Sequence, residues 1–338
     1  MNYLIYLGKR GGGAHLLSEI VSEIPEYKES NWTVIKSSHN HTLEETGLNL
    51  VEIPTPIGPK GYSRYFLSVF NLLKVQKKES GSTDNIFVFI QNSPWDLPLL
   101  VVYKLRGSNF WVAIHDWKRH RGDVWPPAIV TRFLILISNH FIVFSTHAIR
   151  ELKIKGEVIV LKLPGTHKSL YQVASNSPSK VVVFLSIGRI RKYKGLETFN
   201  RAISVSRNSD FYFKLVGEGK LSFRPSPELH FENRWLTDQE FLQEIQSADV
   251  VVLPYIEASQ SGIIPIAIEM NKVILVTNTP SLVDQIKSYN YERYMTFEVD
   301  DHLGMSNAFE VAARNVSKLP NSGSNSERLF QSGFWQNF

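Results

Sequence analysis

The stretch SIGRIRKYKGLETFNRAI, residues 186–203, decides how this chain is read. It follows VVVFL (181–185), an apolar run with the length and β-branched content of a buried strand. Gly188 permits a sharp exit from that strand. Arg189 and Lys194 then flank a short loop, and Gly195-Leu196-Glu197 opens a helical pattern. A strand end, two cations and a helix N-terminus form a pocket suited to a diphosphate. Taken alone, the same residues also fit a plain strand-to-helix turn with two solvated bases.

A second such loop follows in ADVVVLPYIEASQSGIIPIAIEMNKVILVTN (248–278). Residues 250–253 form an apolar strand that Pro254 stops. Ser259, Ser261 and Gly262 precede a helix expected from about Ile263 to Met270, with Pro265 in its first turn, where a missing N–H costs little. Free N–H groups at that N-terminus, with hydroxyls beside them, are expected to receive phosphate oxygens. Strand 273–277 closes a βαβ unit, and in a doubly wound sheet both loops lie at the carboxyl ends of parallel strands, where ligands bind.

Together these residues resemble the donor-binding half of GT-B glycosyltransferases, most closely glycosyltransferase family 4. The family's GR-x4-KG pattern stands as Gly188-Arg189 through Lys194-Gly195, and its LVGEG strand-turn as residues 215–219. Its alanine-aspartate strand ending in proline stands as Ala248-Asp249 through Pro254. The likeness covers residues 180–285 well and the N-terminal half loosely. It implies an α/β chain of the GT-B fold, with two Rossmann-like doubly wound domains facing a cleft. It also implies a nucleotide-diphosphate sugar as co-substrate, held mainly by the second domain, with no cofactor, no metal, and retention of anomeric configuration.

The resemblance assigns Arg189, Lys194 and His115 as catalytic, and Gly12, Gly13, Gly188, Ser259, Ser261, Gly262 and Ile263 to the donor. In the mechanism it implies, negative charge grows on the departing diphosphate and the two cations neutralise it; Arg engages two oxygens while Lys is a mobile point charge. The chain departs from the family in one respect. Two glutamates separated by seven residues usually flank this loop, and an ungapped reading places them at Ala258 and Ile266, with Glu257 adjacent to the first. Glu269, one helical turn beyond Ile266, is the candidate replacement for the second. A subset of GT-B sequences with an SG loop lacks the paired acids in the same way.

The N-terminal half offers further candidates. Gly11-Gly12-Gly13 follows the first strand, in MNYLIYLGKRGGG, and allows close backbone approach to a ligand or a plain turn; its spacing fits neither GxGxxG nor a Walker loop. In WVAIHDWKRHRGD (111–123) a strand delivers His115 and Asp116 to a sheet end, resembling the HD segment of many family 4 chains. His115 fits either a sugar hydroxyl or a satisfied strand-end histidine. Asp116, Lys118, Arg119 and Arg121 are acceptor-side candidates, and His120 completes no recognisable metal set. In STHAIREL (145–152) Ser145 or Thr146 caps a helix that carries His147 in its first turn, and Gly165 and His167 precede the linker.

Domain organisation is legible from composition. Residues 175–180, SNSPSK, read as a linker between an acceptor-side domain over 1–174 and a nucleotide-sugar domain over 181–318, with a tail over 319–338. Apolar runs at 2–7, 33–36, 86–91, 110–114, 140–144 and 158–162, then 181–187, 211–216, 249–253 and 273–277, alternate with helical stretches and argue for parallel sheets. In the GT-B folds that the chain resembles, the C-terminal segment often crosses back to the first domain; this one is short, and Phe334 and Trp335 are expected to cap the second core.

At 338 residues and 43% hydrophobic content the chain can fill two cores. The absence of cysteine excludes disulfides, thiolate catalysis and cysteine metal sites. No signal peptide or run of roughly 20 apolar residues is visible, so a cytoplasmic chain is expected. Residues 1–175 carry 20 Lys and Arg against 14 Asp and Glu, whereas residues 176–338 carry 17 against 18. That excess suggests an anionic partner for the first half, such as a saccharide or lipid-linked acceptor. RYFLSVFNLLKVQKK (64–78) reads either as a packing helix or as a helix that touches anionic lipid at the inner face of the plasma membrane. Nucleic acid is not expected, since no recognition module is present. A GT-B epimerase or phosphorylase, and a non-catalytic partner subunit, share enough of these features to stay open.

Overall fold

The computed structural model describes residues 2–8, 12–40, 47–56, 61–79, 85–90, 96–105, 109–115, 128–165, 181–318 and 334–335. They divide into two compact units, one holding residues 2–162 with Phe334 and Trp335, the other residues 163–318.

The first unit alternates strands and helices: β1 Asn2–Tyr6, α1 Gly12–Val21, β2 Trp32–Ser37, β3 Asn49–Ile53, α2 Tyr62–Glu79, β4 Asn85–Ile90, α3 Asp96–Leu105, β5 Asn109–Ile114, α4 Ala128–Ile137, β6 His140–Val143, α5 Thr146–Leu152 and β7 Glu157–Val160. Every pairing is parallel, in the order β3-β2-β1-β4-β5-β6-β7. The second unit comprises β8 Val182–Ile187, α6 Leu196–Val205, β9 Phe211–Val216, β10 Leu229–Glu232, α7 Asp238–Ser247, β11 Val250–Leu253, α8 Ile263–Glu269, β12 Val273–Thr277, α9 Pro280–Ser288, β13 Tyr294–Phe297 and α10 His302–Lys318. Its sheet is also parallel throughout, in the order β10-β9-β8-β11-β12-β13. Both are Rossmann-like sheets, as the sequence suggests.

Parallel strands are covered on both faces, which is why the central ones are unbroken apolar runs. In the second unit, one core joins the sheet to α7, α8 and α9 through Leu242, Ile264, Leu282 and Ile286. The other joins it to α6 and α10 through Phe199, Ile203, Met305 and Phe309. Asp249, one residue before β11, ties the strand starts together: its Oδ2 accepts from the Val183 N–H at 2.9 Å, and its own N–H donates to the Val183 carbonyl at 3.0 Å.

Three strands escape the sequence reading, and all are sheet edges: β3 (NLVEI), β10 (LHFE) and β13 (YMTF). Half their positions or more stay partly exposed, so they lack the apolar run that marks an interior strand. The tail also differs from expectation. Trp335 is fully buried in the first unit, with its ring centroid 5.2 Å from Phe87, 6.1 Å from Phe89 and 6.3 Å from Trp32. Phe334 lies 6.1 Å from Phe87 and 6.1 Å from Trp111. These residues complete the first core rather than cap the second, because the aromatic face they fit is on β2, β4 and β5.

A charged network fastens β9, β10 and α7. Lys214 Nζ reaches Glu232 at 2.9 Å and Glu244 at 2.8 Å; Arg234 reaches Glu232 and Glu240 at 2.8 Å and Glu244 at 3.1 Å. Hydrogen bonds from Arg234, then Lys214, hold the Glu232 carboxyl down at about 2. A depressed carboxylate contributes stability that is present above its ordinary value of 4.5 and lost as pH falls towards 2. Glu232→Gln should therefore destabilise by about 1 kcal/mol at neutral pH, with the gap to wild type closing across that acid window in urea titrations. Trp335→Ala should cost about 3–5 kcal/mol, read as a lower urea midpoint; an unchanged midpoint would place the indole outside the core.

Candidate functional site

The reversal of strand order at β8 and β11 fixes where a ligand can enter the second sheet. Connections run outward in opposite directions from these two strands, and in open parallel sheets ligands bind at the carboxyl end of such a pair. The loops are 188–195 after β8 and 254–262 after β11, the two that the sequence singles out.

Gly188 has φ 100°, a conformation that L side chains rarely adopt, and its N–H extends the ladder to the Val216 carbonyl at 2.9 Å. The Ile190 N–H then donates to the Glu218 carbonyl at 2.9 Å, drawing the loop across β9. Residues 192–194 form one 3-10 turn that ends at Gly195, where φ is 60°. A side chain at Gly195 would collide with the Pro254 carbonyl, so this glycine lets the two loops touch. The contact is fastened by the Ile256 N–H, which donates to the Tyr193 carbonyl at 2.8 Å.

This geometry turns Lys194 inward. Its side chain is buried, with Nζ donating to the Ile187 carbonyl at 3.3 Å and lying 5.3 Å from the Tyr255 ring centroid. A Cβ added to Gly188 would stand 2.9 Å from that ammonium. No carboxylate pairs with Lys194 among the described residues. Burial lowers its pKa, and the charges of Arg189 and Arg191 lower it further, against an opposing influence of Tyr193. Arg189 is exposed and likewise makes no ion pair among the described residues. Two cations thus stand together at a strand end without a protein counter-charge, an arrangement that a bound anion relieves.

The loop after β11 is rigidly held. Burial pushes the Tyr255 phenol up to about 12, against an opposing influence of Ser261. Thr277 Oγ1 donates to the Tyr255 carbonyl at 2.7 Å, and Ser281 Oγ to the Ala258 carbonyl at 2.5 Å. From α9, Gln285 accepts from the Ser261 N–H at 2.8 Å and donates back to its carbonyl at 2.9 Å. Ile263 Cδ1 lies 3.9 Å from a Cβ added at Gly188, so the start of α8 adjoins the Lys194 pocket.

The expected row of free amides is shorter than the sequence suggests. The Ser261 N–H is taken by Gln285, that of Ile263 by Ser261 Oγ at 3.3 Å, and that of Ile264 by the Ser261 carbonyl at 3.3 Å. Pro265 has none. The Gly262 amide makes no hydrogen bond among the described residues, and the space around its α-carbon is open. Ser259 is fully buried and its hydroxyl has no partner among the described residues. One amide and one buried hydroxyl therefore remain.

The other candidates are placed as follows. Glu269 lies at the last position of α8, roughly 9 Å along the axis from Ile263, with its carboxylate against Gly165. The structure does not bring it to Gly262. Ala258 and Ile266 are buried apolar core, so neither stands in for a missing acid. In the first unit Gly12 and Gly13 open α1 at the carboxyl end of β1. His115 directly follows β5, half-buried, with its ring centroid 6.1 Å from that of Phe144. Ser145 caps α5 by accepting from the His147 N–H at 3.2 Å. Gly11, Asp116, Lys118, Arg119, His120, Arg121 and His167 lie outside the described residues. Sequence reasoning missed Tyr255 and Gln285. The first was visible as an aromatic after the strand-stopping proline, but nothing local signals a glutamine in another helix.

Comparison with family models finds no match, and comparison with curated proteins finds none either. Solved structures do match over nearly the whole chain. A glycosyltransferase from Rickettsia africae is 15% identical, with TM-score 0.67, covering 94% of this chain and 88% of that one. Sucrose-phosphate synthase from Thermosynechococcus elongatus is 13% identical, with TM-score 0.69 and coverage of 93% and 90%. A UDP-forming α,α-trehalose-phosphate synthase from Burkholderia vietnamiensis is 10% identical, with TM-score 0.63 and coverage of 94% and 92%. With two parallel Rossmann-like sheets and these neighbours, the chain has the GT-B fold.

Proposed function

We propose that this protein is a family 4-type glycosyltransferase that moves a sugar from a nucleotide-diphosphate sugar to a saccharide or lipid-linked acceptor, with retention and without metal. The observation that carries the reading is Lys194: an ammonium buried beside Gly188 with only a carbonyl and an aromatic ring as partners. Burying a cation without a counter-ion costs several kcal/mol, and a chain with no anion to bind has no use for it. Arg189 at the same strand end supplies a second charge.

In this reading the sugar–phosphate bond breaks and the electron pair remains on the diphosphate oxygen. Lys194 and Arg189 neutralise that oxygen as charge grows, with the Gly262 amide adding a fixed dipole. Preorganised donors of this kind contribute on the order of 3–4 kcal/mol each. The leaving oxygen, close to the acceptor hydroxyl, takes its proton, so no dedicated base is assigned. Ser259, with its buried unpartnered hydroxyl, binds the donor. His115, Gly12 and Gly13 are proposed as ligand-contacting positions of the first unit.

Helix α2 supports a lipid-linked acceptor at an anionic membrane, in cell-surface polysaccharide or glycolipid assembly. Phe66, Leu67 and Phe70 are 50%, 61% and 55% exposed, and Arg64 is exposed on the same helix. Lys74, Lys77 and Lys78 follow towards its C-terminal end. An apolar face with a basic end rests at a lipid interface rather than across it; no described helix is long and apolar enough to cross a membrane.

Arg189→Ala and Lys194→Met should each cut turnover at least about tenfold. Lys194→Met should leave the unfolding temperature equal or higher, since it removes a buried unpaired charge. UDP is the first nucleotide to test, with GDP, ADP and CMP beside it. At about 100 times its dissociation constant the cognate one should stabilise wild type by roughly 2.7 kcal/mol, in EDTA and not in the Lys194 variant. Stabilisation by none of them would favour a non-catalytic partner subunit. Because the Lys194 pKa is lowered, nucleotide affinity should fall with rising pH before the ordinary lysine value of 10.5 is reached. Phe66→Ser with Phe70→Ser should abolish flotation with phosphatidylglycerol vesicles while leaving nucleotide binding intact; unchanged flotation would remove the membrane from the proposal.

A further inference from the structure

The turn at 189–195 serves both faces of the second sheet. Tyr193 packs into the core under α7, α8 and α9, as does Tyr255 beside Lys194. Ile190 packs into the opposite core, under α6 and α10. On that opposite face lies a cleft of about 600 Å³ between the turn, the start of α6, the connection after β9 and Asp300. None of Gly188, Arg189, Lys194, Ser261 or Gly262 lines it.

The cleft exists because β9 and β10, parallel neighbours, are joined without a helix. A helix usually covers such a crossover; here Gly217–Glu228 crosses as irregular chain. Buried Asn200 on α6 fixes its far wall, donating to the Arg224 carbonyl at 3.2 Å and accepting from the Ser226 N–H at 2.7 Å. Leu221 and Phe223 pack down on the core and give the cleft an apolar side.

Its charge is lopsided. Arg191, Lys192 and Lys220 line it, and none makes an ion pair among the described residues. Arg201 is neutralised by Glu197 at 2.6 Å, while Asp300 accepts from the Thr198 hydroxyl at 3.1 Å. Four cations line the cleft against two carboxylates, and the excess positive charge calls for a multiply charged anion. The carboxylates of Glu197 and Asp300, with the Ser222 hydroxyl, are suited to sugar-type hydroxyl groups. The volume falls within the roughly 300–1,000 Å³ of small-molecule sites, and a bare phosphate would leave most of it unfilled.

We propose that this cleft binds a phosphate monoester of a polyol, and that the ligand acts as an effector by clamping the turn that carries Lys194. Arg191 and Lys192 sit on the cleft side of that turn and Lys194 on the other, so fixing the first two restricts the third without touching it. Gly195 and Ile256, where the two loops of the nucleotide pocket touch, also line the cleft, but none of its cations is one that pocket uses; binding there is independent of the proposed function, and the effector role rests on it.

The test is calorimetric titration of the full chain with glucose 6-phosphate, inorganic phosphate and glucose. Glucose 6-phosphate should bind wild type, glucose should not, and inorganic phosphate should bind at least about tenfold more weakly. Arg191→Ala/Lys192→Ala/Lys220→Ala, all at exposed positions, should lose at least about tenfold in affinity with an unchanged unfolding temperature. Lys194→Met should keep the affinity of wild type. No binding to wild type at millimolar ester, equal affinity in the triple variant, or loss in Lys194→Met would each overturn the site. Inorganic phosphate binding as tightly as the ester would overturn the polyol class.

Discussion

The reversal of connection direction between β8 and β11 is the constraint on which the second unit depends. It turns the chain that follows these strands in opposite directions, so their two loops meet at the sheet's carboxyl end. A small set of backbone contacts holds these loops together. The Ile256 N–H meets the Tyr193 carbonyl, and Gly195 admits the Pro254 carbonyl where no other residue could. These contacts set the depth at which Lys194 lies, and therefore its shortage of water and of counter-charge.

The unit treats its charges in two ways. Around Glu232 each cation meets carboxylates, and the gain is mechanical: β9, β10 and α7 are held in register on the outside of the sheet. Along 189–195, by contrast, Arg189, Arg191, Lys192 and Lys194 have no acid among the described residues to answer them. Like charges crowded at one strand end raise the free energy of the empty state, and an anionic ligand lowers it again. The same loop buries Lys194 and leaves Arg191 and Lys192 exposed: Arg191 is extended ahead of the 3-10 turn, and within the turn Lys192 and Lys194, two residues apart, face different sides.

Much of this arrangement is legible in the sequence. Interior parallel strands are apolar on both faces, so β1, β4, β5, β8, β11 and β12 stand out as runs. Gly188 and Gly195 mark the turn because backbone conformation and contact both demand glycine there. Three of the four edge strands were not legible, since solvent on one side removes the need for a continuous apolar run; β3, β10 and β13 failed for that reason, whereas β7 kept an apolar run at 158–162. Nor was the seat of Trp335: burial in the core beside Trp32 and Phe87 is a contact between distant parts of the chain, with no local signature.

The sequence by itself determined the fold class and the loops at which a ligand can bind. Periodicity, glycine positions and strand-stopping prolines are local requirements, and local requirements are written in order along the chain. Only the tertiary structure decided which groups in those loops remain available. The amides of Ser261, Ile263 and Ile264 are already taken, Glu269 faces Gly165 at the far end of α8, and Lys194 has a ring and a carbonyl but no acid. Whether a hydrogen-bonding group is spent or free depends on partners brought together by packing, as Gln285 shows for Ser261. That pair is 24 residues apart, too far for any local stretch of sequence to reveal it.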